Sequence, residues 1–166
     1  MKIIAMIPVR LGSKRIPNKN LRLLGNTPLV SYAIQAAKNS NIFDEIYINS
    51  EADIFKKIAD EYDVKFYKRP KHLSTDEATN DDFTLDFMNN VEGDILVQIL
   101  STSPFITSKQ IKDFTKMSLE NSYDTLISTK KIKIESIYNN QPVNFDQKKV
   151  SPPSQLLEPV YAYACS

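Results

Sequence analysis

Short continuous apolar runs alternate along this chain with segments in which apolar residues recur every three or four positions. Such runs are typical of strands buried in a parallel sheet, and the second pattern is typical of amphipathic helices. The predicted strands lie at residues 3–7, 46–48, 64–67, 94–100 and 124–130. The predicted helices lie at residues 28–40, 51–62, 80–90 and 108–119. The alternation predicts an α/β fold with three α/β/α layers and a mostly parallel sheet.

Four polar segments predict where the helices begin. Thr27 before Pro28 is typical of an N-cap followed by proline at the first helical position. The other three predicted caps are the segments 50–53, 79–82 and 107–110. Two burial predictions accompany them. The apolar run at 94–100 predicts a strand central in the sheet, and Phe83, Phe87 and Met88 are expected to face inward.

Three polar loops follow predicted strands or lie between a strand and a helix: residues 10–20, 69–80 and 101–104. Ligands of parallel α/β sheets bind at the carboxyl ends of the strands. The three loops are therefore expected to meet at one edge of the sheet.

The pattern changes after residue 130. Residues 139–159 are rich in Asn, Gln and Pro, residues 151–154 predict a loop, and residues 161–164 alternate like the start of a strand that then stops. We therefore predict a nucleotide-binding α/β core over residues 1–130, and an extended arm with a partial return strand over residues 131–166. This ending predicts an incomplete domain or a tail that packs on a partner chain, and the arm suggests a homodimer.

Charge is unevenly distributed in a chain whose net charge is only +1. Residues 1–43 contain seven Lys or Arg and no Asp or Glu, so the remaining residues are net acidic. Such asymmetry indicates an anionic ligand for the first segment, although a solvated basic loop has the same composition.

Composition and motifs exclude several classes of protein. The near-neutral balance argues against a nucleic-acid partner, and no apolar run approaches the ~20 residues of a membrane span. One cysteine allows no internal disulfide, so a cytoplasmic location is expected. The loop around Gly12 lacks the spacing of a P-loop and of the dinucleotide fingerprint.

The segment PVRLGSKRIPNKN at residues 8–20 resembles the opening motif of the acylneuraminate cytidylyltransferases. The likeness continues with LGNTPL at 24–29, RPKHLSTDEA at 69–78 and TSP at 102–104. The resemblance implies a fold similar to the nucleotide-diphospho-sugar transferases. It also implies a reaction in which the anomeric hydroxyl of a sialic-type sugar acid attacks the α-phosphate of CTP and pyrophosphate leaves.

The resemblance assigns roles to individual residues. Lys19 is expected to stabilise the transition state, together with Arg10, whose guanidinium can bind phosphate oxygens as a fork. Lys14 and Arg15 add positive charge where pyrophosphate forms. The other predicted nucleotide-binding or phosphate-binding residues are Gly12 and Ser13, through backbone N–H groups, and Asn20, Arg69 and Asn80, through contacts to base or ribose.

Two departures from the family pattern leave alternatives open. Leu100 stands where relatives have a base-reading glutamine, while Gln98 lies two residues earlier on the same face of the strand. The family implies Mg²⁺, but its aspartate pair has no equivalent here, so no metal ligand is predicted. The alternatives are a nucleotidyltransferase with another nucleotide or sugar, and a catalytically silent, truncated nucleotide-binding module.

Overall fold

The structure is a computed structural model that describes residues 1–146, 148–149 and 156–162. It divides the chain into two units, Met1–Asn121 and Ser122–Ser166. The first unit contains strands β1 (Ile3–Pro8), β2 (Leu23–Leu24), β3 (Thr27–Pro28), β4 (Glu45–Ser50), β5 (Lys65–Lys68) and β6 (Ile95–Gln98), and helices α1 (Leu29–Ser40), α2 (Ile54–Glu61), α3 (Asn80–Asn90) and α4 (Ser108–Asn121). Short 3-10 turns span Lys19–Leu21 and Lys71–Ser74.

The main sheet of the first unit has four strands in the order β5-β4-β1-β6, and every neighbouring pair is parallel. Strand β1 lies inside it, and its five apolar residues are buried. Parallel pairing requires a crossover between strands, which is why helices separate them in sequence. The predicted mostly parallel α/β architecture is confirmed.

Helices cover both faces of this sheet. Alternate residues of β1 point to opposite faces. Ala5 and Ile7 pack in one core with residues of α1, α2 and α4, whereas Ile4 and Met6 pack with Phe87 of α3. Tyr47 and Tyr67 meet Phe87 edge-on, with ring centroids 5.3 and 5.0 Å away. These two cores produce the three predicted layers.

The helix caps were predicted with mixed success. Thr79 and Asp82 form a reciprocal capping box at the start of α3, and Thr107 and Gln110 exchange equivalent bonds before α4. The other two predictions are wrong. Pro28 takes the cap position of α1 because residues 27–28 pair as β3, and α2 begins at Ile54 without a side-chain cap.

Three further predictions are corrected by the structure. Strand β6 is half-buried and lies at an edge of the sheet formed by the described strands, not at its centre. Met88 is 57% exposed, whereas Phe87 faces the core as expected. Residues 124–129 have no regular structure, and the strand predicted there begins at Lys130.

The second unit contains two antiparallel pairs of strands. Strand β7 (Lys130–Ile132) pairs with β10 (Val160–Ala162), in agreement with the strand start predicted near residue 161. Strands β8 (Ile137–Tyr138) and β9 (Gln141–Pro142) form a hairpin whose two turn residues have positive φ. The loop predicted at residues 151–154 lies outside the described residues.

Gly25 is the residue in the β2–β3 turn that requires a left-handed backbone, with φ of 63°. Glycine adopts this conformation at low cost, so the hairpin that leads into α1 can be tight.

Of the helices in the described part of the chain, none is both long and apolar enough to cross a membrane.

Candidate functional site

The carboxyl ends of β1, β5 and β6 bring together the three loops selected from the sequence. Arg10, after β1, contacts Asp76 in the loop after β5, and Asn20 contacts Ser101, after β6. The predicted meeting of the loops at one edge of the sheet is confirmed. We refer to residues 10–20 as the basic loop and to residues 69–80 as the facing loop.

Asn20 is the buried last residue of the basic loop, and its side chain holds the loop in place. Its side chain is only 5% exposed. The amide nitrogen donates to the carbonyl oxygen of Arg10 at 3.0 Å, and the amide oxygen accepts from Ser101 Oγ at 2.7 Å. Both polar ends of the side chain are thus bonded within the protein, and they fix the two ends of the basic loop.

Arg10 and Lys14 share one carboxylate of the facing loop. Arg10 Nη1 lies 3.1 Å from Asp76 Oδ1, and Lys14 Nζ lies 2.5 Å from Asp76 Oδ2. The ammonium of Lys14 and then the guanidinium of Arg10 lower the pKa of Asp76. Asp76 therefore stays ionised at neutral pH and holds two cations side by side.

Lys19 is a half-buried cation of the same loop. Burial lowers its pKa, and the positive charges of Arg15 and Arg10 lower it further. Its ammonium makes no hydrogen bond or ion pair with any described residue, and the same is true of the exposed Arg15 guanidinium. A half-buried, unpaired ammonium beside other cations favours an anionic ligand, because such a ligand would neutralise the shared charge.

The backbone of the basic loop is partly committed to internal bonds. The N–H of Ser13 donates to the carbonyl of Leu11 at 2.9 Å, and the N–H of Leu11 donates to Glu51 Oε1 at 2.8 Å. Around Gly12 there is open space, with no atom within 4 Å of an added Cβ. The N–H of Gly12 makes no bond with the described residues, so it remains available to a ligand.

Arg69 is the first residue of the facing loop and is only 3% exposed. Its Nε donates to Asn49 Oδ1 at 2.6 Å, its Nη2 donates to the carbonyl of Asn49 at 2.8 Å, and its guanidinium stacks on Phe83 at 4.2 Å. Burial lowers the pKa of Arg69 to about 10, and the charge of Arg10 adds to this effect. Arg69 is therefore still charged at neutral pH, with much of its bonding capacity used inside the fold.

Asn80 and Gln98 form a pair of amides at the end of β6. Gln98 Nε2 donates to Asn80 Oδ1 at 2.7 Å, and Asn80 Nδ2 donates to Gln98 Oε1 at 3.3 Å. Gln98 pairs in register with Met6, so it lies on the face of the sheet that α3 covers. An amide pair can still donate and accept through its remaining hydrogens and lone pairs.

The structure adds residues to which the sequence analysis gave no role. Asp76, Asn49, Glu51 and Ser101 hold the predicted cations and the basic loop in place. Asn49 and Ser101 are buried polar residues at or just after the carboxyl end of a strand. That position, where a parallel sheet presents its ligand site, is the signal that would have found them.

A metal-binding cluster is not among the features of residues 1–146, 148–149 and 156–162: no three His, Cys, Asp or Glu side chains there are placed to hold an ion. Two carboxylates of the site, Asp76 and Glu51, are bonded to Lys14, Arg10 and the Leu11 N–H. These residues do not fit a metal centre, and no ligand set can be named from them.

A family model described as "Cytidylyltransferase" matches residues 4–150. The N-acylneuraminate cytidylyltransferase of Streptococcus agalactiae serotype III is 33% identical over 133 residues, which cover 77% of this chain and 32% of that protein. The pseudaminic acid cytidylyltransferase of Campylobacter jejuni serotype O:2 is 30% identical over 173 residues, covering 97% of this chain and 75% of that protein.

The fold is also found among solved structures. The structure of CMP:2-keto-3-deoxy-manno-octonic acid synthetase complexed with CTP superposes with a TM-score of 0.66 at 19% identity, over 74% of this chain and 49% of that chain. The likeness confirms a fold similar to nucleotide-sugar transferases. The chain spans about a third of the length of the N-acylneuraminate cytidylyltransferases that it matches.

Proposed function

This chain belongs to the cytidylyltransferase family, and we propose that it transfers a cytidylyl group from CTP to a sialic-type sugar acid. The products are the CMP-sugar and pyrophosphate. The relatives named for N-acylneuraminate and for pseudaminic acid support an acidic nine-carbon sugar as the acceptor.

One observation carries this proposal: Lys19 is half-buried, unpaired among the described residues, and close enough to Arg10 and Arg15 for their charges to lower its pKa. Bringing like charges together costs free energy unless a ligand neutralises them. The triphosphate of a nucleotide supplies several negative charges at once. Phosphoryl transfer depends mainly on positioning and charge neutralisation, which is what such a group of cations provides.

In the proposed reaction the anomeric hydroxyl oxygen of the sugar bonds to the α-phosphorus as its proton passes to solvent. The bond from that phosphorus to the bridging oxygen of pyrophosphate breaks, and its electron pair leaves on that oxygen. Lys19 neutralises charge on the reacting phosphate. Arg10, Lys14 and Arg15 hold the departing pyrophosphate, and the free N–H of Gly12, next to Ser13, gives the loop a donor for its oxygens. These are the roles that the resemblance to the family's opening motif implies for the residues of the basic loop.

The base and ribose are proposed to bind beside the basic loop, near Asn80. The amide pair of Asn80 and Gln98 offers the donor and the acceptor that a pyrimidine edge requires. Gln98 lies two residues before Leu100 in the chain. Asn20 and Arg69 support this side of the site, chiefly by fixing the basic loop and Asn49. Leu100 keeps a second candidate open, a nucleotidyltransferase that selects another base.

Mg²⁺ is proposed to accompany CTP, as the family implies, and it would offset the charge of the triphosphate. No step of the proposal depends on a protein ligand for it.

A cytoplasmic location and a homodimer are also proposed. The dimer is supported by the second unit, where Ile137, Tyr138 and Tyr161 are large side chains that are 62–72% exposed.

The test is calorimetric titration of this chain with CTP, UTP, GTP and ATP in the presence of Mg²⁺. We expect CTP to bind best and Lys19→Ala to weaken binding, while Lys57→Ala, which removes an exposed lysine of α2, leaves affinity unchanged. Pyrophosphate release with sialic-type acids then tests turnover. Tighter binding of another nucleotide would replace CTP in the proposal, and absence of binding by all four would refute it.

A further inference from the structure

Arg10 makes all its hydrogen bonds to the described residues through one nitrogen. Nη1 donates to the carbonyl oxygens of Ser74 and Thr75, at 3.5 and 3.2 Å, and to Asp76 Oδ1 at 3.1 Å. Three acceptors of the facing loop thus converge on a single corner of the guanidinium. Two of them are backbone carbonyls, and Asp76 supplies the one charged acceptor.

The opposite edge of Arg10 carries Nε and Nη2, and neither bonds to a described residue. These two nitrogens present parallel N–H groups that match the spacing of two phosphate oxygens. A guanidinium held at Nη1 cannot rotate about its Cζ–Nε bond without breaking those contacts. Its free edge therefore keeps one orientation.

We propose that Asp76 is a positioning residue for phosphate binding: it holds Arg10 at Nη1 and so aims the Nε–Nη2 edge at the phosphate chain of the nucleotide. This inference rests on the proposed function of the site. It assigns Asp76 a role through Arg10, without contact to the substrate. The second carboxylate oxygen of Asp76 fixes Lys14 at 2.5 Å, so one side chain sets the separation of two phosphate-binding cations.

Because the ion pair of Arg10 and Asp76 is partly exposed, we expect it to affect the orientation of the guanidinium more than the stability of the fold. The side chains of Arg10 and Asp76 are 36% and 41% exposed, and ion pairs exposed to this degree add little to folding stability. Preorganised donors, by contrast, raise affinity because less freedom is lost when the ligand binds. An opposite role, in which Asp76 competes with phosphate, predicts the opposite sign when the carboxylate is neutralised.

The first readout needs no nucleotide. In the ligand-free chain, NMR measures rotation about the Cζ–Nε bond of Arg10 as exchange between its Nη1 and Nη2 resonances. We expect Asp76→Asn to speed this rotation about tenfold, because the carboxamide oxygen of Asn still accepts from Nη1 but the bond loses its charge assistance. Asp81→Asn makes the same change of charge at an exposed residue of α3 and is expected to leave the rotation unchanged. Equal rotation in wild type and Asp76→Asn overturns the proposal.

The second readout is a mutant cycle with CTP and with inorganic pyrophosphate as probes. We expect Asp76→Asn to weaken both affinities about tenfold when Arg10 is present, and by about threefold at most in an Arg10→Ala background, where only the contact of Asp76 with Lys14 is left to lose. Asp76→Glu, which keeps the carboxylate, should recover part of the loss. Unchanged or tighter binding in Asp76→Asn, or an equal loss without Arg10, overturns the proposal.

The probes also separate this proposal from the proposed function. Binding of pyrophosphate without binding of any nucleotide would refute the nucleotidyltransferase assignment and leave the role of Asp76 to the cycle measured with pyrophosphate. Binding of neither probe by the wild-type chain would overturn both.

Discussion

Ser101 Oγ donates to Asn20 Oδ1 at 2.7 Å, although the two residues are 81 positions apart in the chain. Both side chains are buried. Because Asn20 also donates to the carbonyl of Arg10, this bond connects the end of β6 to both ends of the basic loop. The geometry of the proposed phosphate site thus depends on a residue that does not belong to the basic loop.

Ser101→Ala should destabilise the protein by about 1–2 kcal/mol, because it leaves the buried Asn20 oxygen without its donor. The measurement is urea unfolding followed by circular dichroism. Ser103→Ala is the matched control, since Ser103 is exposed, and its change should stay within ~0.5 kcal/mol. Equal stability of the two variants would contradict a structural role for the Ser101–Asn20 bond.

Gly93→Ala should also destabilise the fold, by about 1–3 kcal/mol, because a Cβ at this position would lie 2.7 Å from Cγ1 of Ile4. Ile4 is 2% exposed and has little room to move. Gly12→Ala is the comparison, since nothing lies within 4 Å of its added Cβ. In the same urea unfolding measurement, Gly93→Ala should have a clearly lower free energy of unfolding than Gly12→Ala. The reverse order would contradict the close packing of β1.

The sheet and its loops could be predicted from the sequence because apolar runs and helical spacing report burial directly. The run at residues 3–7 is the clearest example, and β1 is buried as predicted. Burial alone does not give strand order, however. The run at residues 94–100 indicated a central strand, yet β6 pairs only with β1 among the described strands.

Local signals were also outweighed by tertiary contacts. Thr27 has the sequence context of an N-cap, but its pairing with Leu24 places it in a strand. In the site, the cations were evident from the motif, whereas Asp76 could not be assigned to Arg10 and Lys14 without the fold. A motif gives the residue types that meet a ligand, and the partners that hold them come from distant segments.

Glu45→Gln should lower the free energy of unfolding by about 1 kcal/mol at neutral pH, a value reduced for solvent screening. Bonds from Lys65 and then from the Tyr47 hydroxyl, with Lys2 at 3.1 Å, lower the pKa of Glu45 from 4.5 to about 2. Because the pKa of Glu45 is lower in the folded protein than in the unfolded chain, its carboxylate stabilises the fold at pH values above 4.5. The difference between wild type and Glu45→Gln should therefore shrink as pH falls from 4.5 towards 2.

Urea unfolding at a series of pH values checks the Glu45 prediction. Glu61→Gln is the control, because Glu61 is an exposed carboxylate at the end of α2. Its effect should be small at every pH. A Glu45→Gln difference that stays constant down to pH 2 would mean that the charge of Glu45 does not stabilise the fold.

Lys19 should lose its proton at a lower pH than an ordinary lysine, because burial, and then the charges of Arg15 and Arg10, lower its pKa from 10.5. A pH titration of its ¹³Cε resonance measures this value. Arg15→Gln removes one of the like charges and should move the midpoint upwards, whereas Lys57→Gln should leave it in place. A wild-type midpoint at or above 10.5 would contradict the shared positive field.

The same titration predicts how CTP binding depends on pH. Because the ammonium of Lys19 is the form that attracts phosphate, affinity should fall as pH rises through its lowered pKa. Lys19→Arg keeps a positive charge over this range, so its affinity should start lower, from altered geometry, but remain flat with pH. If Lys19→Arg falls in parallel with wild type, the titrating group is a different one. Arg69, whose pKa burial lowers to about 10, would then be the group to replace next, because it fixes Asn49 beneath the same loop.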